Sequence, residues 1–205
     1  AWYAIDYGPA HFVVLDTNPE SGRFAAGTEQ LRWLESDLGA TSARWKIVMF
    51  HHPLYSKARH SSNIELRKAL MPVFERHKVD LIFTGHDHGY QRSWPVEDER
   101  RSDDGVVHVV SAGGGAELYP AGRESWTAVS QSVHHYCEIE IRGSRLDMNV
   151  VDIQGHSVDA LTIQKDRTVY TDWIRAARGE KAGHKAEAIG LLGRTGRLDA
   201  LGAVL

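Results

Sequence analysis

Two short stretches of the sequence carry histidines at positions suited to binding a metal ion. "LIFTGHDHGYQRSWPV", residues 81–96, places His86 and His88 just after an apolar run and a glycine, and "WKIVMF" leads directly into His51. Imidazole is the commonest neutral metal ligand, and it suits zinc, iron, manganese or nickel better than calcium. Side chains two apart in an extended segment face the same way. His86 and His88 are therefore predicted to face one pocket, with Asp87 pointing out.

The elements around these histidines predict how they are brought together. Residues 45–50 and 81–84 are short apolar runs typical of buried strands, and residues 63–77 have the apolar spacing of an amphipathic helix. This order indicates a crossover unit in a layered α/β sheet, where loops at the carboxyl ends of neighbouring strands converge. The histidines that follow the two strands are therefore predicted to meet in space. Surface-exposed loop histidines are the alternative interpretation of the pair.

The remainder of the chain predicts further strands and one more helix. Residues 2–6 and 11–16 flank a glycine-proline turn and predict a β-hairpin, and residues 28–39 have helical spacing. "VVHVVSAGGG" predicts a strand that ends in a glycine cluster, where a backbone can approach a ligand closely. Residues 135–165 alternate apolar and polar side chains around two turns, which predicts a three-stranded antiparallel meander in a second sheet.

The chain is predicted to divide into an α/β domain, residues 1–165, and a helical tail, residues 166–205. The stretch "AEAIGLLGRTGRLDALGAVL" resembles the start of a HEAT-type helical repeat, a unit that cannot bury its own apolar face. A pair of helices that docks on the sheet is the simpler interpretation, and we prefer it. Continuation of a helical repeat is the alternative.

Composition excludes several partners. The 24 basic and 27 acidic side chains leave a net charge of -3, so no strong field attracts nucleic acid or an anionic membrane. A single cysteine, Cys137, excludes an intrachain disulfide framework. No apolar run approaches the roughly 18 residues of a membrane span. We therefore expect no nucleic-acid partner and no membrane partner.

Histidines outside the two stretches are assigned structural roles. His11 and His108 lie inside strand patterns and are predicted to be partly buried, hydrogen-bonded and without a chemical role. His134 and His135 begin a predicted strand, and we assign them no chemistry. His52 is predicted to point away from a ligand at the neighbouring position, because adjacent side chains of a strand face opposite ways.

Two motifs in this order resemble a known family. "IVMFHHPLYS", residues 47–56, followed by "FTGHDHGYQRSW", residues 83–94, resembles the last two motifs of the calcineurin-like metallophosphoesterases, especially the purple acid phosphatase branch. "AWYAIDYGPAHFVVLDT" is similar to the strand pair of that branch, and "VVHVVSAGGGAELY" to its glycine-rich strand. The resemblance covers roughly residues 1–165. It implies the later half of a four-layer αββα sandwich and metal-dependent hydrolysis of a phosphorylated small molecule or protein.

The resemblance also implies roles for individual residues. His51 and His86 would ligate one ion of a binuclear iron, zinc or manganese centre, and His88 the other. Such a centre lowers the pKa of bound water toward ~7. His60 would contact phosphate or protonate the leaving group, with Arg59 as a further phosphate contact; a solvated surface position is the alternative for both. Supporting roles around the pocket fall to three more residues inside the motifs: His52, Tyr90 and Arg92.

The sequence departs from the family in its first half. In the family, aspartate motifs and a "GNH" segment in the first half supply ligands to both ions. These motifs have no counterpart in this sequence. Three interpretations stay open. The chain is the later part of a larger phosphoesterase whose first segment is missing, which its abrupt strand-like start favours. Or it binds one ion through His51, His86 and His88 in an inert domain. Or it is a degenerate scaffolding module.

A metal-free hydrolase built on Ser56 or Ser61 is disfavoured, because neither serine lies in a G-x-S-x-G elbow. The resemblance is also the only guide to location. Members of the purple acid phosphatase branch are commonly exported, which points to a secreted or periplasmic protein, whereas the residues themselves specify no compartment.

Overall fold

A computed structural model describes residues 1–18 and 27–165 of the protein. Two helices lie among these residues, α1 (Glu29–Ala40) and α2 (Ile64–Arg76). The strands are β1 (Tyr3–Tyr7), β2 (Ala10–Val14), β3 (Trp45–Phe50), β4 (Leu81–Thr84), β5 (Tyr90–Ser93), β6 (Val96–Glu97), β7 (Arg100–Arg101), β8 (Val107–Ser111), β9 (Thr127–Gln131), β10 (His135–Arg142), β11 (Arg145–Asp152) and β12 (Ser157–Gln164).

The main sheet has seven strands in the order β1-β2-β3-β4-β8-β5-β9. Strands β2, β3, β4 and β8 are parallel, whereas β1 and β5 run antiparallel to their neighbours. Strands β10, β11 and β12 form a separate three-stranded sheet, and β6 pairs with β7. The predicted crossover from β3 through α2 to β4 and the predicted β1–β2 hairpin are both confirmed.

One core lies between the helices and a face of the main sheet. Helix α2 directs Leu70 and Phe74 onto the sheet residues Val48 and Ile82, and all four side chains are fully buried. Asn63 caps the helix, because its side chain accepts a hydrogen bond from the Leu66 amide at 3.0 Å. The helix continues through Pro72. Strands β3 and β4 are the central strands of the sheet, which explains their continuous apolar sequences.

A buried histidine connects the edge hairpin to α1. The two ring nitrogens of His11 lie 2.7 Å from an Asp6 oxygen and 2.8 Å from an Asp37 oxygen. Burial by itself lowers the pKa of His11, but the hydrogen bonds and charges of Asp37 and Asp6 outweigh it and raise the pKa above its usual value. The predicted structural role of His11 is confirmed.

The chain divides into two compact units, the first comprising Ala1–Ile141 and Asp147–Leu161. The second unit includes Arg142–Leu146 and, among the residues described, 162–165. Every candidate site residue belongs to the first unit. The predicted helical tail, with its HEAT-like pattern, lies outside the described residues. Neither described helix is long and apolar enough to cross a membrane.

Candidate metal centre

Three imidazoles meet where β3 and β4 end. His51 and His52 follow β3 directly, and His86 follows the last residue of β4 by two positions. The two strands are parallel, so their carboxyl ends lie at the same edge. Nε2 of His51 is 3.1 Å from Nδ1 of His86, and one ring nitrogen from each of the three histidines lies within 4.8 Å of the others. The predicted approach of His51 to His86 is therefore observed.

The turn after β4 sets the direction of His86. The φ angle of His86 is 69°, in the left-handed region that few residues other than glycine adopt. The Gly85 amide donates to the His51 carbonyl at 3.0 Å, which ties this turn to the end of β3. Strand alternation therefore does not extend past Thr84. The prediction that Asp87 points out is wrong, because Asp87 is buried and only 1% exposed.

His52 also turns toward the cluster. Its ring centroid lies 4.9 Å from that of His51 and 4.8 Å from that of His86. The expectation that it points away fails for the same reason, since β3 ends at Phe50. Nδ1 of His52 lies 2.9 Å from the hydroxyl of Thr17, a buried residue just after β2. The sequence predicted that His52 supports the pocket from outside the ligand group. In the structure, its ring lies inside the imidazole cluster.

The surroundings of His52 and His86 favour the neutral form of these two rings. Burial lowers the pKa of His52, and the neighbouring His51 adds to the effect. Burial also lowers the pKa of His86, with further lowering from His60, His52 and His51. Neutral imidazole is the form that offers a lone pair to a cation.

The donor set of the cluster fits one transition-metal ion. Two imidazole nitrogens 3.1 Å apart either share a proton or direct their lone pairs at one cation. Imidazole nitrogens suit zinc, iron and manganese. Within residues 1–18 and 27–165, this trio is the one group of three or more such donors that lie this close, and it includes no carboxylate. The described residues therefore do not provide a complete second position.

His88 lies apart from the trio, against the loop that follows β8. Its ring stacks on Tyr119 at a centroid distance of 4.4 Å, and its Nδ1 is 2.8 Å from the Glu117 carbonyl. The Tyr119 amide donates to the His88 carbonyl at 2.8 Å. Tyr119 was not singled out from the sequence. The glycine cluster before it, "GGGAELYP", was the available signal.

His60 lies at the same edge. Its ring centroid is 4.2 Å from that of His86 and 5.6 Å from that of Tyr119. The guanidinium carbon of Arg59 is 5.1 Å from the centre of the Tyr119 ring. Both residues are exposed. A positively charged group and a titratable imidazole thus border the cluster.

Asp87 holds the segment that carries His60. One carboxylate oxygen accepts a hydrogen bond from the His60 amide at 2.8 Å, and the other accepts one from the buried Ser56 hydroxyl. Gly122 secures the same segment, because its amide donates to the Lys57 carbonyl at 2.8 Å. A Cβ at position 122 would lie 2.6 Å from that oxygen, so only glycine allows this approach. The sequence patterns missed the role of Asp87.

We expect Asp87→Ala to loosen residues 56–60 and to lower the free energy of unfolding by about 1–3 kcal/mol, because the Ser56 hydroxyl would remain buried without its acceptor. Amide hydrogen exchange of residues 56–60, read with thermal unfolding, measures both effects. Asp104→Ala removes an exposed carboxylate and serves as the control. Unchanged exchange at His60 would contradict the assignment of Asp87 as its anchor.

Tyr90 and Arg92 brace the strand that follows the histidine turn. The Tyr90 hydroxyl donates to Asp159 at 2.6 Å, and Arg92 donates to both oxygens of the same carboxylate at 2.6 and 3.0 Å. Tyr90 is fully buried and Arg92 is 8% exposed. Burial raises the pKa of Tyr90, and the bond to Asp159 raises it further. Asp159, on β12, was not identified from the sequence.

An open cleft lies beside two of the histidines. Its volume is about 470 Å³, and His51 and His52 border it. Ala1 and four residues just after β2 form the rest of its described wall, the four being Leu15, Asp16, Thr17 and Asn18. A ligand of moderate size therefore has access to the imidazole cluster.

Comparisons with known proteins assign this fold to the calcineurin-like phosphoesterase family. The family model for calcineurin-like phosphoesterases matches residues 6–90, which include His51, His86 and His88. The chain belongs to this superfamily. Within it, the chain belongs to the purple acid phosphatase-like branch, as its relatives show.

Three comparisons illustrate the likeness. Acid phosphatase type 7 of mouse is 30% identical over 198 residues, which are 77% of this chain and 44% of that protein. Purple acid phosphatase 4 of Arabidopsis thaliana is 31% identical over 130 residues, 61% of this chain and 36% of that protein. The structure of a purple acid phosphatase from yellow lupin seeds has a TM-score of 0.69 and 25% identity, and the match covers 80% of this chain and 33% of that one.

The likeness to the lupin structure confirms the predicted metallophosphoesterase-type α/β fold. The chain spans less than half the length of each of these relatives.

Proposed function

We propose that this chain forms the later part of a metal-dependent phosphoester-hydrolysing site, with a phosphorylated small molecule or protein as substrate. The observation that supports this best is the 3.1 Å approach of His51 to His86, two imidazoles held by separate strand ends. Preference for a monoester over a diester follows from the purple acid phosphatase relatives.

Three histidines would bind the metal ions. His51 and His86 would hold one ion through the two ring nitrogens that face each other. When bound, a transition-metal ion neutralises phosphate oxygens and lowers the pKa of a water molecule. His88 would contribute to a second iron, zinc or manganese position, whose other donors would come from a segment that this sequence does not contain.

His60 and Arg59 would act on the substrate itself. His60 is exposed and can recover a proton from solvent, so it would protonate the leaving oxygen, a contribution of typically ~100 to 10,000-fold. Arg59 would contact the phosphate by charge-assisted hydrogen bonds. Asp87 would act through His60 by fixing its backbone.

Hydrolysis of p-nitrophenyl phosphate and bis(p-nitrophenyl) phosphate by the whole chain tests the proposal. We expect turnover to disappear in chelator and to return with iron, zinc or manganese, and His86→Ala to lower it at least ~100-fold. His156→Ala, which changes an exposed histidine bonded to Asp152, is the matched control. An amino-terminal segment of a relative, added in trans, provides the missing donors. Absence of turnover under all of these conditions would refute hydrolysis.

A catalytically inert metal-binding module is the second candidate. The observation that favours it is the absence of a carboxylate from the imidazole cluster within the described part of the chain. This candidate predicts metal binding without turnover. A scaffolding module, in contrast, predicts that no ion binds and that chelator leaves thermal stability unchanged.

A further inference from the structure

We infer that His52 is a third ligand, so that His51, His52 and His86 together hold one transition-metal ion in an all-imidazole site. The inference rests on the metal-binding part of the proposed function and does not require catalysis. It differs from the ligand set implied by family resemblance, which pairs His51 and His86 with carboxylates and assigns His52 only a supporting role.

The three rings surround one point at similar separations. Their centroids lie 4.9, 5.0 and 4.8 Å apart, at interplanar angles of 89°, 72° and 55°. None of the pairs is stacked, so each ring can direct a nitrogen toward the centre. Zinc–imidazole bonds of ~2.0–2.1 Å place the donor nitrogens of one site within ~3–4 Å of each other. The His51–His86 pair meets this spacing, and a nitrogen of His52 is within 4.8 Å of both.

Thr17 orients the His52 ring in the way a metal ligand requires. Metal-bound histidines almost always donate their other ring N–H to an oxygen, which fixes the tautomer. Nδ1 of His52 lies 2.9 Å from the Thr17 hydroxyl, and the His52 amide donates to the same oxygen at 3.2 Å. Thr17 is 7% exposed, so water competes little for this bond. When Nδ1 carries the proton, the lone pair of Nε2 is left for the ion.

His88 is oriented by a hydrogen bond of the same kind, but it lies outside the close group of donors. Its Nδ1 is 2.8 Å from the Glu117 carbonyl, and its ring stacks on Tyr119. The close group of donors includes His52 and omits His88. The first ion should therefore depend on His52 and not on His88. The dependence on His52 separates the inference from the ligand assignment based on resemblance, which gives this ion only His51 and His86 among the histidines.

Titration of the metal-free full chain with Zn²⁺ by calorimetry, and with Co²⁺ by visible absorption, tests the inference without an activity assay. We expect one ion per chain, with affinity reduced at least ~100-fold by His52→Ala. Thr17→Val should reduce it ~10- to 100-fold, whereas Thr17→Ser keeps the hydroxyl and should preserve it. His88→Ala and His156→Ala should leave the affinity for this ion unchanged. Circular dichroism verifies that each variant is folded.

The outcomes separate this inference from the proposed function. If His52→Ala binds the ion as tightly as the wild type does, the all-imidazole site is refuted and the ligand set implied by resemblance stands. If the wild-type chain binds no Zn²⁺ or Co²⁺, the inference and the metal-binding part of the proposed function both fall. If one ion binds through His52 but phosphate esters are not hydrolysed, the inference is supported and hydrolysis is refuted.

Discussion

Asp159→Ala is expected to lower the free energy of unfolding by about 3–5 kcal/mol, because it leaves a buried guanidinium without its counter-ion. The side chains of Arg92 and Asp159 are only 9% and 6% exposed, and the pair is bidentate. The buried Tyr90 hydroxyl would lose its acceptor as well. Since β5 begins two residues after His88, we also expect the histidine turn to become more mobile.

Urea unfolding at pH 7.5 measures this loss, and Glu138→Ala, an exposed carboxylate on β10, is the control. A triple variant, Tyr90→Phe with Arg92→Met and Asp159→Leu, removes all three polar groups together. We expect it to recover most of the lost stability, because an apolar replacement of a buried ion pair is often neutral or stabilising. A loss below ~1 kcal/mol in Asp159→Ala would show that water reaches Arg92.

His108 is expected to make the protein less stable in acid. It is 4% exposed on β8, beside Tyr55, and burial together with the charge of Arg67 lowers its pKa from 6.5 to about 3. Below pH 6.5 the unfolded chain binds a proton at this histidine and the folded protein does not. Stability is therefore lost as pH falls from 6.5 toward 3, by about 1.4 kcal/mol per pH unit and about 2 kcal/mol at pH 5.

Unfolding of His108→Leu at pH 7.5 and pH 5 measures this contribution. Relative to wild type, the variant should gain about 2 kcal/mol on moving to pH 5, because it has no group to protonate there. His156→Gln, at an exposed histidine, should gain nothing comparable. Equal pH dependence of wild type and His108→Leu would contradict the assignment.

The prediction that His108 is hydrogen-bonded is wrong, since neither ring nitrogen has a partner among the described residues.

Local patterns predicted the elements that position the site. The apolar runs at 45–50 and 81–84 coincide with β3 and β4, because central strands of a parallel sheet are buried on both faces and need apolar residues throughout. The helix between them begins after its Asn63 cap and follows its apolar spacing. With parallel strands, the meeting of His51 and His86 at one sheet edge follows from chain order alone.

Which side chains face the centre was decided by the tertiary structure. Sequence alternation holds only while the backbone is extended, and both strands end before the histidines. A left-handed turn at His86 directed its ring instead. Contacts between residues far apart in the chain position the other side chains. Thr17 lies 35 residues from its partner His52, and Asp159 lies 69 residues from its partner Tyr90. The sequence by itself thus determined the strands, the helices and the site edge, whereas packing between distant segments decided the positions and partners of His52, Asp87 and Asp159.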